Sequence, residues 1–145
     1  MKKISLLLIC FVSLNIFATV TNVSIEDGTE RIKELLIYSA PGDTIALDRG
    51  TFYVGDLGSS LYIADSIVIT TIYEALSCTL SAAPSPLHDS SDTLETILVS
   101  YFESPRINVS LIRGLVFCDS RGTIGAAVMS YNGCPDFDSC AFVNN

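Results

Sequence analysis

From Met1 to Ala18 the hydrophobic pattern has no period. Two lysines open the chain, and the apolar run Ile4 to Ala18 is interrupted only by Ser5, Cys10, Ser13 and Asn15. A short positive start followed by such a run is the pattern of a secretory signal peptide, predicted over residues 1–18 with cleavage after Ala18. The run falls short of the ~20 apolar residues a membrane-crossing helix needs. Leu8 and Ile9 ahead of Cys10 argue against lipid attachment at that cysteine. Beyond the leader the period becomes helical. Ile32, Leu35, Leu36 and Ser39 or Ala40 recur at helical spacing, Asp27-Gly28-Thr29-Glu30 offers a capping box, and Pro41-Gly42 ends the segment. The spacing therefore predicts one amphipathic helix over residues 25–41, whose apolar stripe must cover something.

After Gly42 the period is two. Short β-branched and aromatic runs follow one another, each bounded by Gly, Asp or Ser: Thr44–Leu47, Thr51–Val54, Leu61–Ile63 and Ser66–Ile72. A Ser/Pro/Asp-rich stretch from Ser81 to Asp92 reads as a surface loop, since it offers turn chemistry and little to bury. Strands then resume at Ile97–Tyr101, Ile107–Ile112, Leu115–Phe117, Ala126–Met129 and Cys140–Phe142. Short strands with no helices between them leave sandwiches, barrels and solenoids open. Self-similarity favours the last. Gly114–Ser120 lies over Ser139–Asn145 with Phe117 on Phe142, and Ile45 lies over Ile67 or Ile69, at intervals of roughly 22 to 25 residues. Hairpins would return sooner, and the two turn dipeptides, Asp27-Gly28 and Asn132-Gly133, are not set tightly between long alternating strands.

The passage from Ile32 to Tyr53, a helix followed by Ala40-Pro41-Gly42-Asp43-Thr44-Ile45-Ala46-Leu47 and then Gly50-Thr51-Phe52-Tyr53, resembles the opening of right-handed parallel β-helix proteins of the pectate-lyase-like superfamily. Leu111 to Phe117, Gly125-Ala126-Ala127-Val128 and Phe142-Val143-Asn144-Asn145 are similar to the Gly-Gly-Ala-Ile and Phe-x-x-Asn repeats of polymorphic outer-membrane proteins, with Ala126 in place of the second glycine. The resemblance implies an all-β right-handed parallel β-helix, a solenoid whose end is capped by the helix at 25–41 and whose coils occupy residues 42–145. At that interval, about five coils are expected. The expected solenoid is incomplete at its C-terminus, because Asn145 follows a strand with no capping element after it.

Composition narrows the role. The chain has 145 residues, is 49% hydrophobic and has a mean hydropathy of +0.47, so a folded domain rather than disorder is expected. Lys and Arg total 8 against 16 Asp and Glu, a net charge of −8, which repels the phosphates of nucleic acids. Loss of residues 1–18 removes Lys2 and Lys3 and no acid, leaving six cationic side chains. Cys78, Cys118, Cys134 and Cys140 remain, with three possible pairings in a compartment where disulfides persist. With Phe117 and Phe142 both inward, Cys140 faces the core and Cys118 faces out, so a Cys118–Cys134 bridge is expected.

No residue is assigned a catalytic, cofactor or metal role. His88, Asp89, Ser90 and Ser91 are adjacent in a Pro-rich loop, an arrangement unsuited to a nucleophile, base and orienting acid. Asp119, Asp136 and Asp138 are weighed as a calcium site of the kind the superfamily's lyases use, and read as solvated turn carboxylates. Arg113 and Arg121 are weighed as a lyase base by the same resemblance, and read as surface charges. Asn144 and Asn145 are expected in an asparagine ladder at a bend. The sequons at Asn22 and Asn108 accept glycan only where secreted proteins are glycosylated. The expectation is a secreted or cell-surface solenoid with a non-catalytic structural, adhesive or glycan-contact role, its partner a polysaccharide or host-cell glycan. A polysaccharide lyase or glycoside hydrolase is the alternative.

Overall fold

The computed structural model describes residues 18–63, 66–87, 93–101, 110–123 and 126–145. The expected leader (all but Ala18), the His88 to Ser91 set and the Asn108 sequon therefore lie outside the described residues. The described chain forms twelve short strands and one α-helix: β1 Val20–Val23, α1 Gly28–Tyr38, β2 Thr44–Leu47, β3 Gly50–Tyr53, β4 Leu61–Ile63, β5 Val68–Thr71, β6 Cys78–Ser81, β7 Leu98–Tyr101, β8 Leu111–Arg113, β9 Leu115–Cys118, β10 Val128–Tyr131, β11 Asp136–Asp138 and β12 Ala141–Val143. Among the described residues, no helix is long and apolar enough to cross a membrane.

Helix α1 starts later and ends sooner than its apolar spacing predicts. Its lead-in is a 3-10 turn, Ile25–Asp27, and the capping box belongs to that turn. Asp27 N donates to Ser24 Oγ at 3.3 Å, and Ser24 N donates to Asp27 Oδ2 at 2.8 Å. The expected box at Asp27 to Glu30 is thus displaced upstream to Ser24–Asp27, because Ser24 occupies the Asp27 carboxylate before it can cap α1. At the other end Ser39 is already extended, with ψ 140°, and its amide and hydroxyl both donate to Leu35 O. Pro41 pushes the backbone just before it out of helical geometry. Ile32 and Leu36 are buried against β1, β3 and β4, whereas Ile37 and Tyr38 face solvent.

Every strand pair is parallel. One sheet has the order β1-β2-β5-β8-β11, a second β12-β9-β6-β3 and a third β10-β7-β4. From β2 onward successive strands visit the three sheets in a constant cyclic order. Parallel neighbours cannot be joined by tight hairpins, so each strand's partner lies far along the chain. Alternation sends one side of each strand into a shared core. Ile45, Ile69 and Ile112 stack in register with at most 1% exposure, and Phe137 continues the row. Phe52, Leu80 and Phe117 form a second row ending in Phe142, whose ring stacks on Phe117 at 5.2 Å. Leu61 and Leu98 form a third, extended by Val128.

The expected Phe117–Phe142 and Ile45–Ile69 pairings are both present. The expected regular interval between coils is not. Ile69 pairs with Ile112 and Phe52 with Leu80, each further along the chain than one such interval, because the corners between strands differ in length while the ladders keep register. The corners repeat more faithfully near the C-terminus. Gly114 and Ser139, then Asp119 and Asn144, are left-handed at equivalent bends of successive repeats. Asx and Gly tolerate that conformation best.

Candidate functional site: an exposed tyrosine face

Strands β4, β7 and β10 are in register, with Leu61 beside Leu98 beside Val128. Since that row points inward, the next row must point out, and it consists of Tyr62, Val99 and Met129. Further along the same outward side, Tyr101 and Tyr131 are directly opposite each other. The three tyrosines are 65%, 57% and 47% exposed, while Val99 is covered to 7% by its neighbours. The Tyr101 and Tyr131 rings lie 6.4 Å apart, centroid to centroid, inclined at 47°. Tyr131 Oη donates to Met129 Sδ at 3.3 Å, a weak acceptor. None of these five side chains is charged. Beneath them the inward Ser100 Oγ donates to Ser130 Oγ at 2.7 Å, joining β7 to β10. The result is an uncharged patch of exposed tyrosines with their phenolic hydroxyls, held on parallel strands rather than on loops.

The residues singled out in the sequence are dispersed. Asp136 and Asp138 share β11, while Asp119 follows β9 in a different sheet. Asp119 Oδ2 accepts from Cys118 Sγ at 2.9 Å and Ser81 Oγ at 3.3 Å, and Asp138 Oδ2 accepts from Arg113 Nε at 2.7 Å. Arg113 and Asp138 are exposed partners one strand apart, and the Arg121 side chain is exposed. Among the described residues, no three His, Cys, Asp or Glu side chains are placed to hold a metal ion. Asn145 bridges the strands, but to a serine. Its Oδ1 accepts from Ser120 N and Oγ, and its Nδ2 donates to Phe117 O. The expected asparagine ladder is corrected accordingly, since Ser120 is the residue one repeat before Asn145.

All four described cysteines are free thiols. The expected Cys118–Cys134 bridge is absent: Cys118 ends β9 with its sulfur bonded to Asp119, and Cys134 is exposed in the turn after β10. Cys140 does pack against the core, as its register predicts. Burial, reinforced by the Asp119 hydrogen bond, pushes the Cys118 thiol up to about 11. Burial and the nearby Asp48 charge push Cys78 up to about 12. Both shifts favour the protonated thiol at neutral pH.

A cleft of about 440 Å³ opens beside the start of α1 and is lined by Asp27, Thr29, Glu30, Tyr53, Asp56 and Leu57 among others. Its polar walls are mostly used internally. The Ser24 hydroxyl and amide hold Asp27 below the ordinary carboxylate value of 3.8, Asp56 Oδ1 accepts from Ser85 N at 2.7 Å, and Thr29 Oγ1 donates to Tyr53 O.

The tyrosine face is not evident from the sequence. Tyr62 sits one step out of phase with buried Leu61 and Ile63, which is a usable signal, but β7 and β10 show no such alternation, and the unequal corners hide which strands are neighbours. Compared with family models, curated proteins and solved structures, the chain finds no match in any of the three.

Proposed function

We propose that the chain is a right-handed parallel β-helix of the pectate-lyase-like kind, exported to the cell surface or beyond, with a non-catalytic adhesive or glycan-contact role. The cyclic order of parallel strands and the helix over one end of the core support the architecture. The signal-like pattern of residues 1–18 supports export. The observation that carries the role is the outward tyrosine face on β4, β7 and β10. Aromatic rings exposed on a rigid sheet contribute contact area at low entropic cost and combine an apolar face with a polar rim. The acid-lined cleft beside α1 favours a second reading, a carbohydrate-active enzyme, in which Glu30 is the carboxylate least engaged by neighbours.

One experiment separates them. The full-length chain is incubated with polygalacturonate and alginate plus calcium, and is also tested for retention on immobilised glycans and on cell surfaces. The adhesive reading expects retention, reduced by Tyr101→Ala and Tyr131→Ala, without new ultraviolet absorbance from unsaturated products. Appearance of that absorbance, abolished by Glu30→Gln, would favour the enzyme instead.

A further inference from the structure

We infer that the tyrosine face takes a neutral polysaccharide of equatorially linked pyranose rings, laid across the strands so that it passes over Tyr131 and Tyr101 in turn. This rests on the glycan-contact reading and names its ligand class and direction. The direction follows from register. A chain running parallel to β10 meets Tyr131 and then Met129, and one running parallel to β7 meets Tyr101 and then Val99, a single ring in either case. A chain crossing the strands meets two rings, 6.4 Å apart with their planes at 47°. Equatorially substituted pyranoses present C–H groups on both flat faces, and these stack on aromatic rings. Their hydroxyls point sideways, toward those of the tyrosines.

Area favours a small ligand over a protein partner. Three strands at about 4.8 Å spacing, each three or four residues long at about 3.3 Å per residue, make a face of roughly 170 Å². A stable protein interface needs about 800 Å² from each side. The smaller area matches a short run of sugar rings. Net charge opposes an acidic glycan. The molecule carries −8, and three of the four described arginines are already engaged: Arg31 on Glu34, Arg113 on Asp138 and Arg49 over the Tyr73 ring at 4.3 Å, whereas Arg121 is exposed between β9 and β10. None of Tyr62, Val99, Tyr101, Met129 and Tyr131 is a cation.

Affinity electrophoresis of the full-length chain tests this with three probes in the gel: a soluble β-glucan, a galactomannan and polygalacturonate. Retardation is expected with a neutral probe and should persist at high salt, because no ion pair is involved. Tyr101→Ala and Tyr131→Ala should each weaken it about tenfold, while Tyr101→Phe keeps the ring and most of the affinity. Tyr38→Ala, at the exposed end of α1, should leave it unchanged. Both test positions are exposed, and an unchanged far-ultraviolet circular dichroism spectrum verifies folding of each variant. Neutral-probe binding that survives both alanine variants overturns the inference. Salt-sensitive, tyrosine-dependent retention on polygalacturonate alone overturns it while leaving glycan contact standing. Absence of retention on all three overturns both.

Discussion

Cys78 is fully buried, and its thiol holds its proton up to about 12 instead of the ordinary 9.0. A group whose proton is held more tightly in the folded state stabilises that state fully below its unfolded pKa and loses the contribution as pH rises toward the folded value. The urea midpoint should therefore fall between pH 9 and 12, and Cys78→Ala should flatten that part of the profile. Thiol labelling gives an independent check. At pH 8 iodoacetamide should modify exposed Cys134 in the native protein and reach Cys78 only after unfolding. On the acid side, alongside Asp27, Asp43 contributes. Thr19 N and Ala40 N donate to its carboxylate, with Thr19 Oγ1 adding a third bond, and hold it below the ordinary 3.8. That contribution is present above pH 4 and disappears as pH drops below it. Asp43→Asn should reduce the acid sensitivity and loosen β1, measurable as faster amide exchange at Val20 to Val23.

Among the elements, the isoleucine row is the most exacting. Ile69 lies between Ile45 and Ile112 with 1% exposure, so Ile69→Ala should cost about 2–5 kcal/mol and Ile69→Val about 0.5–1.5 kcal/mol in urea unfolding. Gly55, in the 3-10 turn Val54–Leu57, is constrained differently. A Cβ there would lie 2.5 Å from Ala82 O and the Ala83 carbonyl carbon, so Gly55→Ala should destabilise by about 1–3 kcal/mol despite an ordinary φ. Period-two strands such as β2, β4 and β5 are legible because half their residues are strongly apolar. Strand β11 is not, since Asp136-Phe137-Asp138 has poor strand propensity and exists through pairing with Leu111 to Arg113 and the Arg113–Asp138 ion pair. Strand β1 reads only as the segment after the leader, and β6 merges into the approach to a loop. Both are specified by distant partners, Thr44 to Leu47 for β1 and Gly50 to Tyr53 for β6.

The whole molecule is held by pairings that local sequence does not announce. Because paired residues such as Ile69 and Ile112 lie far apart along the chain, folding must close long loops before any ladder forms. Refolding by stopped-flow dilution should accordingly fall in roughly the millisecond-to-second range; recovery of the full signal within microseconds would contradict this topology. The same separation explains how much of the fold is legible in the sequence. The phenylalanine and isoleucine repeats disclose stacked parallel strands, because similar apolar residues recur where corners are short. The tyrosine face requires knowing that β4, β7 and β10 are neighbours, and the two steps joining them, Leu61 to Leu98 and Leu98 to Val128, share no common period.

Those unequal corners have a practical side. Natural excursions of such different lengths, all returning to the same ladders, mean that the bends behave as cargo bays on an indifferent frame. A passenger peptide spliced into the turn between β10 and β11 should travel on the outside of the molecule without disturbing the rungs on either side.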